Sequence, residues 1–126
     1  MIHEEICTYE VCKLAKEKGF NEYVEAFYAE DCDTAHSQGP EKWNEYNGRF
    51  AAPTQNLLQR WLREEKNIHI EIVATACGYF WIADKTNGTA ITDSDVLDRG
   101  TNEGGCFDTF ELCLEDSLKY ILKNLL

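Results

Sequence analysis

Apolar residues recur at helical spacing in three stretches of the chain, and between two of those stretches the pattern shortens to the two-residue alternation of a strand. The first stretch carries Val11, Leu14 and Ala15 behind Thr8, a residue suited to an N-cap. Gly19 can adopt the left-handed conformation that closes a helix, and Phe20 can fold back as its apolar contact, so a helix is predicted from Thr8 to Lys18. Tyr23 to Tyr28 is aromatic and β-branched and ends in the acidic turn Glu30-Asp31-Cys32-Asp33, which predicts a strand. No sustained period runs from Thr34 to Phe50; Gly39-Pro40 and Gly48 predict a long loop with a brief helical or extended piece near Trp43 and Tyr46.

A second helix is expected from Pro53 and Thr54 onward, Pro53 suited to a first helical position and Thr54 to a cap, with Leu57, Leu58, Trp61 and Leu62 forming one stripe opposite Gln59, Arg60, Arg63 and Glu64. Alternation then takes over: Ile68, Ile70 and Ile72 point to one face, His69 and Glu71 to the other. Cys77-Gly78 predicts a turn into a strand over Tyr79 to Ala83, Asn87-Gly88 a hairpin, and Thr89 to Thr92 a weaker returning strand. Asp93 to Gly105 is a polar connector. Asp108 with Glu111 has capping-box spacing, Phe107 with Leu112 has staple spacing, and both introduce a closing helix. That helix presents Phe110, Leu114, Leu118, Ile121, Leu122 and Leu125 on one face. The order implies a single α+β domain over residues 1–126, with helices packed on a small antiparallel sheet of three to four strands.

The block Ala52-Pro53-Thr54-Gln55 leading into Trp61-Leu62-Arg63-Glu64, followed by Ile68, Ile70, Gly78 and Tyr79, resembles a group of small uncharacterised bacterial proteins associated with prophages and mobile elements. Lys18-Gly19-Phe20 and Thr109-Phe110-Glu111 fit the same group, while the chain is longer than its pattern between Asp84 and Gly105. The resemblance implies a mobile-element origin and no assigned activity. Over Gly105 to Glu111 the chain is also similar to antitoxins of the HicB type, a short likeness that largely reflects helix capping.

Charge narrows the chemistry. The 126 residues hold 23 Asp and Glu against 12 Lys and Arg, a net charge of -11. Binding to phosphate backbones gains most from basic side chains, so direct nucleic-acid binding is disfavoured. Double-stranded RNA binding domains share the order helix, three strands, helix, but aim lysines at phosphate where this chain has Asp108 and Glu111. Arg60, Arg63 and Lys66 share their helix with Glu64 and Glu65 and read as a salt-bridged surface. Met1 to Glu5 has no export-signal character and no later run spans a bilayer, so a cytoplasmic protein away from membranes is expected, with its six cysteines as thiols.

No phosphate loop or nucleophile signature occurs, and neither catalysis nor a cofactor is expected. Cys32 and His36, four apart beside Asp31 and Asp33, are the candidate metal or thiol centre, yet no Cys-x-x-Cys pair completes a zinc set. Cys7 and Cys12 are further thiolate candidates, and Asp93, Asp95 and Asp98 lack the offsets of a calcium loop. His3 and His69 fall in no signature. Cys113, between Leu112 and Leu114, reads as a core thiol. The leading expectation is an accessory protein acting on a protein partner, or on a second copy of itself, through Trp43, Tyr46, Tyr79 and Trp81, because aromatics bring large contact area. The alternatives are a metal-binding or thiol-dependent protein at Cys32 and His36, and an acidic phosphate mimic that inhibits a DNA-handling protein.

Overall fold

A computed structural model describes residues 4–85 and 106–126. His3, the Asn87-Gly88 hairpin, the Thr89 to Thr92 strand and the Asp93 to Gly105 connector, with Asp93, Asp95 and Asp98, lie outside the described residues. The elements run α1 (Tyr9–Glu17), β1 (Val24–Ala29), β2 (His36–Glu41), a 3₁₀ turn (Trp43–Glu45), β3 (Arg49–Ala51), α2 (Gln55–Glu65), β4 (Ile68–Thr75), β5 (Gly78–Lys85) and α3 (Phe110–Asn124). This is an α+β fold. No helix among the described residues is long and apolar enough to cross a membrane.

The described strands form two antiparallel sheets, one ordered β2-β1-β3 and one pairing β4 with β5, where the sequence predicts a single sheet. The reason lies in the stretch read as a loop. His36–Glu41 pairs with one edge of β1, and Arg49–Ala51 pairs with the other, through Phe27↔Ala51 and Tyr28↔Phe50. With both edges taken locally, β1 needs nothing from β4 or β5. The polar tract escapes periodicity because β2 is an exposed edge strand with no buried face to mark. Gly39 at φ +93° and Pro40 suit such a strand, whose pairing with β1 is irregular between Val24 and Ala26.

The chain divides into two compact units, residues 1–58 with 119–126, and residues 59–118. In the first, Thr8 Oγ1 accepts from Val11 N at 3.4 Å and starts α1. Gly19 at φ +96° ends it, with Phe20 N donating to Ala15 O at 3.0 Å and Gly19 N to Lys16 O at 3.2 Å, while the Phe20 ring is buried. That is the double bond of a Schellman cap. Lys16 Nζ donates to the carbonyls of Tyr46 and Arg49 and ties α1 to β3. Asn44 joins three segments: its amide donates to Phe20 O at 2.6 Å and its oxygen accepts from Ala51 N at 2.7 Å. The end of α3 joins this unit through Lys119 with Glu10 and through Lys18 with the Leu126 carbonyl.

In the second unit, β4 and β5 form a hairpin in register from Ile68↔Lys85 to Thr75↔Gly78, so Ala76 and Cys77 make the turn that the sequence places at Cys77-Gly78. Ile68, Ile70, Trp81 and Ala83 are buried, whereas His69 and Glu71 are exposed as the alternation predicts. Gln59 Nε2 donates to Ile70 O and Trp81 Nε1 to Asp116 Oδ2, each at 3.0 Å, joining α2 and α3 to the hairpin. Trp61, Leu62, Leu114 and Leu118 are buried alongside.

Two helix starts lie one or two residues later than expected. Thr54 caps α2 as expected, accepting from Leu57 N at 3.2 Å, and the helix opens at Gln55, so Pro53 lies before the cap and not at the first helical position. Thr109, not Asp108, caps α3, accepting from Leu112 N at 3.1 Å. A threonine hydroxyl next to the first turn takes the cap position, which removes the spacing that a staple needs: Phe107 is buried while Leu112 is 51% exposed. Phe110 is exposed too, so the buried face of α3 starts at Cys113 and Leu114.

Candidate functional site

The first unit carries a groove of about 380 Å³ lined by Ile6, Tyr23, Val24, Glu25, Ala26, Ala35, Ser37, Thr54 and Leu57. Its floor follows from strand alternation: Ala26 pairs with Ser37 on one face of the sheet, and Phe27 and His36 turn to the other. Ala26, Ala35 and Ser37 are small, and the space above them is left open. The backbone frames the groove, since Glu5 O accepts from Gln55 N at 2.8 Å and Cys7 N donates to Pro53 O at 3.0 Å, which lays the segment before α1 along the start of α2. Tyr23 is 65% exposed and Ile6 38%, with Leu57 half-buried between the stripe of α2 and the groove.

Polar chemistry inside the groove is sparse. Thr54 Oγ1 is committed to the Leu57 cap, and Glu25 projects to solvent. Charge gathers at the edge instead: Glu25 in the lining, Glu4 and Glu5 next to Ile6, and Glu22 next to Tyr23, all exposed, against Lys42, whose Nζ lies 5.3 Å from the Tyr23 ring centroid.

Of the aromatics expected at an interaction surface, Trp43 and Trp81 are buried to 6% and 1% exposure and present no surface. Trp43 stacks on Phe27 with centroids 4.5 Å apart and donates Nε1–H to Val24 O at 2.9 Å. Each indole is held inward because the fold supplies a partner for its N–H. Tyr46 is 44% exposed, packed on Trp43 and on the Arg49 guanidinium, which also lies 4.8 Å from the Phe27 ring. Tyr79 is half-buried, exchanging backbone hydrogen bonds with Phe107 and meeting Phe110 edge-on. Tyr23, which sequence reading assigned only to a strand, is the aromatic that the fold exposes most. Pattern gives no sign of this, because only the fold decides which flank of a strand is covered.

Cys32 and His36 are not built into a centre. Cys32 Sγ faces the Thr34 carbonyl at 3.6 Å, and His36 packs against the Phe27 ring. Among the described residues no three His, Cys, Asp or Glu side chains converge as a metal set. Cys7 and Cys12 are buried, with Cys12 Sγ on the Cys7 carbonyl. Cys113 is buried as expected; burial, reinforced by Asp116 and Cys106, pushes its thiol up to about 12. All six cysteines stand as thiols.

Two of them meet. Cys77 at the β4–β5 turn and Cys106 before α3 bring their Sγ atoms to 3.1 Å, with Thr75 Oγ1 at 3.4 and 3.6 Å from the two sulfurs. The sequence shows no such pair, since 28 residues (78–105) separate the cysteines and no short motif spans them. Comparison with known protein families, curated proteins and solved structures finds no match for this chain.

Proposed function

We propose that the chain is a non-catalytic accessory protein that holds an apolar segment of a partner protein, flanked by basic residues, in the groove of its first unit. The observation that carries this reading is the open, apolar lining of the groove around the exposed Tyr23 and Ile6, edged by glutamates. Burying such side chains contributes roughly 1.5–3 kcal/mol each, enough for two or three to anchor a segment. A polar metabolite would need converging donors and acceptors, which this lining lacks. Strand addition along β2 fits less well, because Pro40 has no N–H and the irregular pairing blunts the edge. The acidic edge selects basic flanks by steering and by penalising acidic ones. A mobile-element origin, as the resemblance implies, belongs to the same reading.

The test uses the intact chain and two octapeptides, one with four central leucines flanked by paired lysines and one with the same leucines flanked by paired glutamates. The basic peptide should bind and the acidic one should not. Tyr23→Ala should weaken binding about tenfold or more, as loss of an aromatic anchor does. Glu25→Lys should weaken it too, whereas Glu30→Lys, a charge change outside the lining, should leave it nearly unaltered. Equal loss from Glu25→Lys and Glu30→Lys would reduce the effect to nonspecific charge and overturn the reading. So would a dimer in light scattering that Tyr23→Ala dissociates, since a second copy would then occupy the groove.

A further inference from the structure

We propose that Cys77 and Cys106 form a peroxide-responsive dithiol that closes reversibly into an intramolecular disulfide. The sulfurs lie 3.1 Å apart, about 1 Å beyond the bonded length of about 2.05 Å, so closure needs only small side-chain movement. The approach is set by backbone. Tyr79 N donates to Phe107 O at 2.8 Å and Phe107 N to Tyr79 O at 2.7 Å, which clamps the segment after Cys77 to the residue after Cys106. Thr75 shapes the turn as well: its hydroxyl donates to Gly78 O at 3.0 Å and accepts from Cys77 N at 3.3 Å.

The two thiols differ in the way that stepwise oxidation requires. Cys77 is exposed at the turn, and Cys106 is 5% exposed behind it. Hydrogen bonding from Thr75 and then from Cys106 favours the Cys77 thiolate, and the same contact with Cys77 holds the proton on Cys106. The help from Thr75 is partial, because its single proton is shared with the Gly78 carbonyl. Cys113, raised mainly by burial and in part by Cys106, keeps its proton to about 12 and does not compete.

The Cys77 thiolate attacks one oxygen of hydrogen peroxide; an S–O bond forms, the O–O bond breaks, and the departing hydroxide takes up a proton to leave as water. Cys106 Sγ then attacks the sulfenic sulfur of Cys77. The S–S bond forms as the S–O bond breaks, and the thiol proton of Cys106 leaves with the hydroxide as a second water. Two thiols lose two electrons, and one peroxide gains them. The product ties the hairpin turn to the segment before α3 and closes a covalent ring through the 28 residues between the two cysteines.

Treating the reduced full chain with stoichiometric hydrogen peroxide should remove the mass of two hydrogens, with peptide mapping placing the link between Cys77 and Cys106 and dithiothreitol reversing it. A loop of this size should raise Tm by about 5–15 °C. Cys106→Ser should leave Cys77 as a sulfenic acid that dimedone traps. If that buried substitution unfolds the chain, the exposed Cys77→Ser still decides the matter, since it should abolish the mass loss without lowering Tm. Cys113→Ala should still form the link. An unchanged mass, an undiminished loss in Cys77→Ser, or a link mapped to another cysteine would overturn the proposal.

Discussion

At the scale of single residues, environment separates side chains that composition treats alike. Cys113 and Cys77 share a chemistry, but one is packed inside the start of α3 and the other stands on a hairpin turn. Burial disfavours the thiolate, so the Cys113 thiol titrates near 12 against an ordinary value of 9.0. A group held protonated by the fold stabilises it fully below the unfolded-state value, and that contribution is lost as pH climbs through the folded one. Urea midpoints should therefore fall between pH 9 and 12. Cys113→Ala should start about 1 kcal/mol less stable and fall less steeply over that window. Parallel titration of both proteins by tryptophan fluorescence would measure it, and identical slopes would exclude Cys113 as a source.

At the scale of elements, chemistry at the ends decides where helices begin. Asp108 and Glu111 satisfy a spacing rule, yet the hydroxyl of Thr109 accepts from Leu112 N and takes the cap one residue later. Thr109→Ala should cost about 1 kcal/mol and Asp108→Ala less, since the threonine hydroxyl accepts from Leu112 N at the N-cap position. Thermal unfolding of the two variants would rank them; the reverse order would return the cap to Asp108. The strands teach a complementary point. Ile68, Ile70 and Ile72 announce β4 because one face is buried, whereas β2 exposes most of its length and leaves no alternation to read. Pairing alone makes it a strand, and pairing is a property of two segments.

At the scale of the molecule, a net charge of -11 means that self-repulsion opposes the compact state. Local compensation exists, as in Arg60 with Glu64 and Lys119 with Glu10, but such exposed pairs offset little. Raising sodium chloride from low to moderate concentration shortens the screening length to about 10 Å or less and should stabilise the fold by on the order of 1 kcal/mol. Urea titrations at fixed pH and varied salt would show this as a rising midpoint; a falling midpoint would mean that attractive pairs dominate.

The sequence by itself determined the α+β class, the extent of α1 and the start of α2 to within a residue or two, the orientation of the Ile68 to Ile72 strand and the burial of Cys113. In each case the signal is local: a cap, a glycine after a helix, or a period that one buried face imposes. The tertiary structure alone decided that β1 takes both its partners from an aperiodic tract, that Trp43 and Trp81 turn inward while Tyr23 does not, and that Cys77 meets Cys106. Those outcomes depend on which distant segment arrives to cover a face, accept from an indole N–H or place a second sulfur beside the first. No periodicity along one strand of sequence encodes that arrival.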